Sequence, residues 1–250
     1  LQPADRGKRD SLVLTAHDKI TLKAGDLVEA ELLPSRGYIG KNARVINNLG
    51  NAGSPGAFSA LALAEFGIRH QFPDAAISES QGLKIPPAKG RRDLRDRPLV
   101  TIDGADARDF DDAVFAEPAD QGGWRLLIAI ADVSHYVRPQ TALDQEARLR
   151  GNSVYLPDRV VPMLPEIISN DLCSLRPHED RAAMVAEIFI DKDGQRQSYH
   201  IERAMIRSHA RLTYDQVQAV YDGTLDERDC QVPHGTLHAL FAAWHALTIA

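Results

Sequence analysis

Thr101-Ile102-Asp103-Gly104-Ala105-Asp106-Ala107-Arg108-Asp109-Phe110-Asp111-Asp112-Ala113-Val114 is the stretch on which the reading of this chain turns. An apolar run from Leu99 delivers Asp103 at its end, and Asp109, Asp111 and Asp112 follow closely. Carboxylates at this density repel one another unless positive charge sits between them. An all-oxygen donor set suits a hard divalent cation, Mg²⁺ or Mn²⁺, better than zinc. In an extended stretch Asp109 and Asp111 face one side and Asp112 the other, and a loop can turn Asp103 back toward them. Such a cluster can hold one or two ions that activate water and stabilise a leaving oxygen, as in phosphodiester hydrolysis. A solvated acidic loop is the competing reading. The apolar flanks at 99–102 and 113–115, and Phe110 inside the cluster, weigh against it. An EF-hand loop does not fit, because its glycine and terminal glutamate are out of place.

The surrounding composition belongs to a folded protein: 250 residues, 44% hydrophobic and 26% charged. No apolar run is long enough to span a bilayer, and no secretory signal opens the chain. Cys173 and Cys230 are too few for a disulfide framework or a structural zinc site, which predicts a reducing compartment, the cytoplasm. The chain starts without Met and stops inside a helical pattern of Leu237, Leu240, Phe241, Trp244 and Thr248, so a fragment of a longer protein is expected. The net charge of −6 argues against a globally basic nucleic-acid binder. Its distribution says more. Lys84, Lys89, Arg91, Arg92, Arg95 and Arg97 crowd one segment, and Asp103, Asp106, Asp109, Asp111, Asp112, Glu117 and Asp120 crowd the next. This reads either as two solvated loops or as a phosphate-facing approach beside a metal pocket.

Residues 11–15, 26–33 and 38–48 read as short strands of roughly half a small β barrel or sheet, with Val28, Ala30 and Leu32 alternating with glutamates. The breaker cluster at 47–56 reads as a linker, since no Lys-Ser or Lys-Thr follows to make it a phosphate loop. Short helices are expected around Phe58 to Phe66 and over 73–80, then an extended basic linker after Pro86-Pro87. Beyond it come strands at 99–102, 113–116 and 124–133, and a helix capped by Thr141. Short extended pieces at 154–156 and 160–163 follow, then a hairpin turning at Asp193-Gly194 and a helix with a Thr213/Gln216 capping box. The pattern is α+β.

The acidic stretch closely resembles the signature of the RNase II/RNase R superfamily, whose catalytic domain is called RNB, and the wording is closer to the RNase R branch. The resemblance continues through Ala129-Ile130-Ala131-Asp132-Val133-Ser134-His135-Tyr136-Val137, Arg150-Gly151-Asn152-Ser153-Val154-Tyr155-Leu156-Pro157, Val161-Pro162-Met163-Leu164-Pro165 and Ser169-Asn170-Asp171-Leu172-Cys173-Ser174-Leu175. Ordered motifs over about residues 90–220 are far more specific than one short match.

The resemblance implies a partial RNB catalytic domain, a mixed sheet with surrounding helices, over 98–250. It implies the C-terminal part of a β-barrel cold-shock (OB-fold) domain over 1–50, with 51–97 as linker. It implies a Mg²⁺-dependent hydrolytic exoribonuclease, Mn²⁺ being possible in its place, that degrades single-stranded RNA from the 3′ end to nucleoside 5′-monophosphates. Asp103, Asp109, Asp111 and Asp112 match the family's catalytic and metal-binding aspartates, and Asp111 matches the one on which the chemistry depends most. Tyr155 matches a tyrosine that stacks on a base near the 3′ end, and Tyr214 one near the bound nucleotides. On residue type alone either tyrosine could instead be a core aromatic. His135 and Cys173 read as structural, and a Ser134–His135–Asp132 triad is disfavoured because strand neighbours face opposite sides.

A threading enzyme needs no dimer, so a monomer is expected, without membrane attachment. The family's phosphate-binding arginine lies downstream of these residues, which leaves the activity of the isolated chain open and predicts exposed apolar surface. A noncatalytic RNA-binding or regulatory relative is the alternative reading.

Overall fold

The computed structural model describes residues 1–4, 11–14, 20–34, 41–119 and 122–250. Contacts divide the chain into two units, residues 1–71 with 150–163 and residues 72–149 with 164–250. The first unit opens with β1 (Leu12–Leu14), β2 (Asp26–Leu32) and β3 (Lys41–Asn51). The central β3 runs parallel to β1 and antiparallel to β2, giving a three-stranded sheet. Ala43 and Val45 of β3 are buried. The expected alternation in β2 holds as far as Ala30, while Leu32 at the strand's end is exposed. Residues 38–40 of the third expected strand, and Thr15 of the first, lie outside the described residues.

The linker expected at 47–56 is partly strand. β3 runs past the expected end at Asn48 to Asn51, with Gly50 and Asn51 paired to Leu27 and Asp26, and the side-chain amides of Asn47 and Asn48 donate to Glu29 and Asp26. A turn then leads into α1 (Ala57–Glu65), which ends, as its spacing predicts, before Gly67 in a left-handed conformation.

The second unit begins with α2 (Asp74–Gln81) and β4 (Arg92–Leu94). The basic segment is therefore not a free linker: β4 pairs in parallel with residues 204–206 and becomes an edge of the main sheet. Then come β5 (Val100–Asp103), β6 (Asp112–Pro118) and β7 (Trp124–Ala131), followed by a helical turn, α3 (Val133–Tyr136), and α4 (Ala142–Arg150). The strand expected to reach Val133 stops at Ala131. The Asp132 N–H pairs with the Ala182 carbonyl and its carboxylate turns inward to ion pairs, so the chain coils.

The chain re-enters the first unit as a hairpin of β8 (Val154–Leu156) and β9 (Arg159–Val161), where the Ser59 hydroxyl donates to Asp158. It completes the second with one wide helical turn (Ile168–Leu172), β10 (Asp180–Ile190), β11 (Arg196–Arg207), β12 (Ala210–Thr213), α5 (Tyr214–Tyr221) and α6 (Thr236–Ile249). The expected capping box is present at α5, with the Gln216 N–H donating to Thr213 Oγ1 and the Thr213 N–H to Gln216.

The main sheet has the order β12-β5-β6-β7-β10-β11-β4 and is mixed, as the α+β reading expects: the pairs β12/β5 and β11/β4 are parallel and the inner pairs antiparallel. Helices α5 and α6 cover part of one face. Val220 and Leu237 pack on Val100 and Leu212, and Ala243 and Ala246 pack near Ala116, Leu126 and Ile190. Trp244, Leu247 and Ile249 of α6 remain exposed, in line with the exposed apolar surface the sequence predicts.

At the turn from β6 to β7, Gly123 has φ +90°, and a Cβ there would stand 2.2 Å from the Ile190 carbonyl oxygen of β10. Gly123→Ala should therefore lower unfolding stability by about 2 kcal/mol or more in urea titration. An unchanged midpoint would show that this close approach does not constrain the sheet.

Candidate active site

The acidic loop is built between the end of β5 and the start of β6. Thr213↔Asp103 is the last pair of the β12/β5 ladder, so Tyr214, the first residue of α5, follows directly beside Asp103. On the other flank the Ala131 N–H of β7 donates to the Asp111 carbonyl at 2.8 Å. The loop is not solvated throughout. Phe110 is buried, its N–H donates to Ser174 Oγ at 3.2 Å, and its carbonyl accepts from the Leu175 N–H at 2.7 Å. Ser174 Oγ in turn donates to the Arg108 carbonyl at 2.9 Å. From β12, Arg211 donates to the Gly104 and Ala105 carbonyls at 3.3 and 2.5 Å and lies 4.9 Å from the centre of the Phe110 ring.

Behind this strap stands Arg181, 1% exposed, with Nε on the carbonyls of Asp171 and Ser174 at 3.1 and 2.9 Å and Nη2 on Glu179. Ser174, Arg181 and Arg211 carry the loop, and none of them stood out as a site residue in the sequence. The available signals were Ser174 within a quoted motif and Arg181 as a charge opening an apolar strand.

The carboxylates sense one another. Burial pushes the Asp103 carboxyl up; Asp111 and Asp109 add to this, while the Gly104 N–H and Arg211 pull the other way. Burial likewise pushes Asp112 up, reinforced by Asp111 and Asp103. The structure thus places all four predicted aspartates within electrostatic reach at one end of the sheet. Among the described residues, no three acidic, His or Cys side chains already stand close enough to hold a metal ion. Like charge opposes closer approach of these carboxylates until a cation stands between them. Its all-carboxylate chemistry fits a hard cation, and Arg211, the nearby arginine, spends its hydrogen bonds on backbone carbonyls.

Neither candidate tyrosine is a core aromatic: Tyr214 is 60% exposed beside the loop, and Tyr155, on β8 of the first unit, is 69% exposed. The triad reading fails on contacts. Ser134 Oγ donates to Asp132 Oδ1 at 2.7 Å, while His135 Nδ1 lies 3.4 Å from Arg138. Cys173 is buried, with its thiol pushed up to about 12 by burial, and so is not an activated nucleophile.

The basic segment is divided in two. Arg92 bonds Glu187 and Glu202 at 2.8 and 2.7 Å, Arg125 joins Glu187 to Glu117, Arg95 pairs with Asp93 and Asp180, and Arg97 lies 3.5 Å from Glu117. Lys89 and Arg91 instead line a concavity on the second unit. Asp120 lies outside the described residues.

A sheet closed off at one end by a strapped four-aspartate loop defines a class, and comparison with known families agrees with it. A family model described as the RNB domain matches residues 91–247, and a cold shock domain model matches residues 1–73. The chain belongs to the RNB-domain family.

More particularly, it resembles ribonuclease R. It is 46% identical over 248 residues to ribonuclease R of Vibrio parahaemolyticus, covering 94% of this chain and 29% of that protein. With ribonuclease R of Escherichia coli it shares 50% identity over 194 residues, 76% of this chain and 24% of that protein. The solved structure of Mycoplasma genitalium RNase R in complex with ribose methylated single-stranded RNA matches with a TM-score of 0.82 at 27% identity, covering 95% of this chain and 38% of that one. The chain spans less than a third of the length of these two curated relatives.

Because the Asp112 carboxyl is raised on folding, its contribution to stability is full below the ordinary carboxylate range of about 4 and is lost as pH rises through the raised value. At neutral pH, with metal chelated, Asp112→Asn should raise the thermal midpoint by about 2 °C or more, and the gain should vanish below about pH 3. A variant less stable than wild type at pH 7 would contradict the raising of this carboxyl by burial and its acidic neighbours.

Proposed function

We propose that the protein containing this chain is a divalent-metal-dependent hydrolytic exoribonuclease that shortens single-stranded RNA from its 3′ end and releases nucleoside 5′-monophosphates. The observation that carries this reading is the set of four aspartates on one strapped loop, of which Asp103 and Asp112 are raised by burial and by their acidic neighbours, with an exposed tyrosine at its side. Asp103, Asp109, Asp111 and Asp112 would hold Mg²⁺, or Mn²⁺ in its place, which would supply activation of water and neutralisation of charge at a phosphodiester.

The chain's own residues do the positioning. Ser174 and Arg211 hold the loop backbone at both ends, so a cation would need to draw in the carboxylate side chains and not the loop itself. Tyr214 and Tyr155 offer exposed ring faces for bases, a grip that tolerates any sequence because every base has a π face. The overall negative charge is no obstacle, since a cation in the loop offsets it where the substrate phosphate must come. We place this enzyme, acting as a monomer, in the cytoplasm. Among the described residues no helix is long and apolar enough to cross a membrane.

The test uses the whole protein with Mg²⁺ and a 5′-labelled single-stranded RNA. Wild type should yield a ladder shortening from the 3′ end together with mononucleotides. Asp111→Asn should lower the rate by about 100-fold or more, and chelation should abolish it. RNA bound but never cut would instead favour a noncatalytic RNA-binding relative. Tyr214→Ala and Tyr155→Ala should each weaken RNA binding by about 1–3 kcal/mol, roughly 5- to 150-fold, in a metal-free binding assay. Undiminished affinity in both variants would remove the stacking role.

A further inference from the structure

On the second unit a concavity of about 300 Å³ is lined by Pro86, Lys89, Arg91, His135, Arg138 and Arg203. Its residues come from the segment before β4, the turn after β7, and β11. Among the described residues, the one carboxylate that bonds these arginines is Asp132, which is fully buried. It accepts from Arg91 Nη2 at 2.7 Å and Arg203 Nε at 3.2 Å on one oxygen, and from Ser134 on the other. No ion pair with Lys89 or Arg138 occurs among the described residues. The cluster therefore carries more positive charge than Asp132 can offset.

The Arg91 side chain is only 6% exposed, and its Nη1 is buried without a hydrogen-bond partner. An unpaired buried guanidinium N–H is costly, and it marks a place prepared for an acceptor. His135 lies among Arg91, Arg138 and Arg203, and burial, followed by these charges, lowers its pKa. A neutral ring in this setting can still donate from its second nitrogen.

Register ties this concavity to the acidic loop. Asp112 pairs with Ile130, Ile130 with Met184, and Met184 with Arg203. Residues directly opposite share a face of the sheet, so Asp112 and Arg203 end one cross-strand row. Three inter-strand steps of about 4.8 Å separate them by about 14 Å. Ile130 in the middle of the row is 46% exposed, so the row is open to solvent. The ion-pair network of Glu117, Arg125, Glu187, Glu202 and Arg92 occupies the opposite face by strand alternation.

We propose that this concavity binds one backbone phosphate of the RNA strand whose end lies at the acidic loop. The inference rests on the exoribonuclease reading. At the 3.4 Å rise of a stacked strand, about 14 Å corresponds to roughly four nucleotides. The planar forks of Arg91, Arg138 and Arg203 match phosphate oxygens, and the Pro86-Pro87 pair pre-orders one wall of the site.

The experiment measures fluorescence anisotropy of a labelled oligouridylate of about eight nucleotides, with metal chelated, over about 50–200 mM salt. Lys89→Gln/Arg138→Gln removes two exposed side chains that lie outside the Asp132 ion pairs, and its thermal midpoint should match wild type. Lys84→Gln/Arg196→Gln removes the same charge from outside the concavity.

The Lys89/Arg138 pair should weaken binding by about tenfold and reduce the slope of log affinity against log salt by about 0.7, the value for one single-strand phosphate contact. The control pair should leave the slope unchanged. An equal loss in both pairs, no loss in either, or a wild-type chain that does not bind the oligonucleotide would overturn the site. Because cleavage plays no part in this readout, a reduced slope in a protein that never shortens RNA would retain the site and refute only the enzymatic reading.

Discussion

Repulsion among Asp103, Asp109, Asp111 and Asp112 is the constraint around which the second unit is arranged. A loop bearing this charge would be expected to spread into solvent, yet it is held by groups that carry none of the chemistry. Phe110 inserts as an apolar anchor, Ser174 bridges the carbonyl of Arg108 and the amide of Phe110, and Arg211 collects the carbonyls before them. Arg181 fixes the turn that presents Ser174. Buried arginine is an expensive choice for a scaffold; here its donors are directed to the backbone carbonyls of Asp171, Ser174 and Asp180, besides the carboxylates of Asp171 and Glu179. Fold stability and site geometry thus meet in the same few hydrogen bonds.

The charges of the sheet are sorted by face. On one face, acidic and basic residues of β4, β6, β7, β10 and β11 neutralise one another in a continuous network. On the other, Asp112 and Arg203 end one row with the apolar Ile130 and Met184 between them. Unlike charges at the two ends of an open apolar row suit a ligand that is anionic along its backbone and apolar on its base faces, provided a cation offsets the acidic end.

Much of this was legible in the sequence. The acidic stretch with its apolar flanks located the loop and the strands on either side. The capping box at Thr213, the hairpin turning at Asp193-Gly194 and the helix after Thr141 follow from local chemistry and occur as expected. Other parts depended on contacts remote in sequence. Gly50 and Asn51 read as breakers, but β2 offers their backbone partners in Leu27 and Asp26, so the strand runs on through them. Val133 read as strand until the buried ion pairs of Asp132 turned the chain. The six basic residues between 84 and 97 looked alike, and only the carboxylates on neighbouring strands separate Arg92 from Arg91. No local signal reveals partners of that kind.

The central claim is that the four aspartates form one divalent-cation site. Titrating Mn²⁺ into the metal-free chain, with free ion followed by electron paramagnetic resonance, tests it most directly. The account predicts that one or two ions bind wild type, that Asp111→Asn and Asp103→Asn each abolish at least one of them, and that Mg²⁺ competes for the site. Mn²⁺ binding that is absent from wild type, or unchanged in both variants, would contradict it.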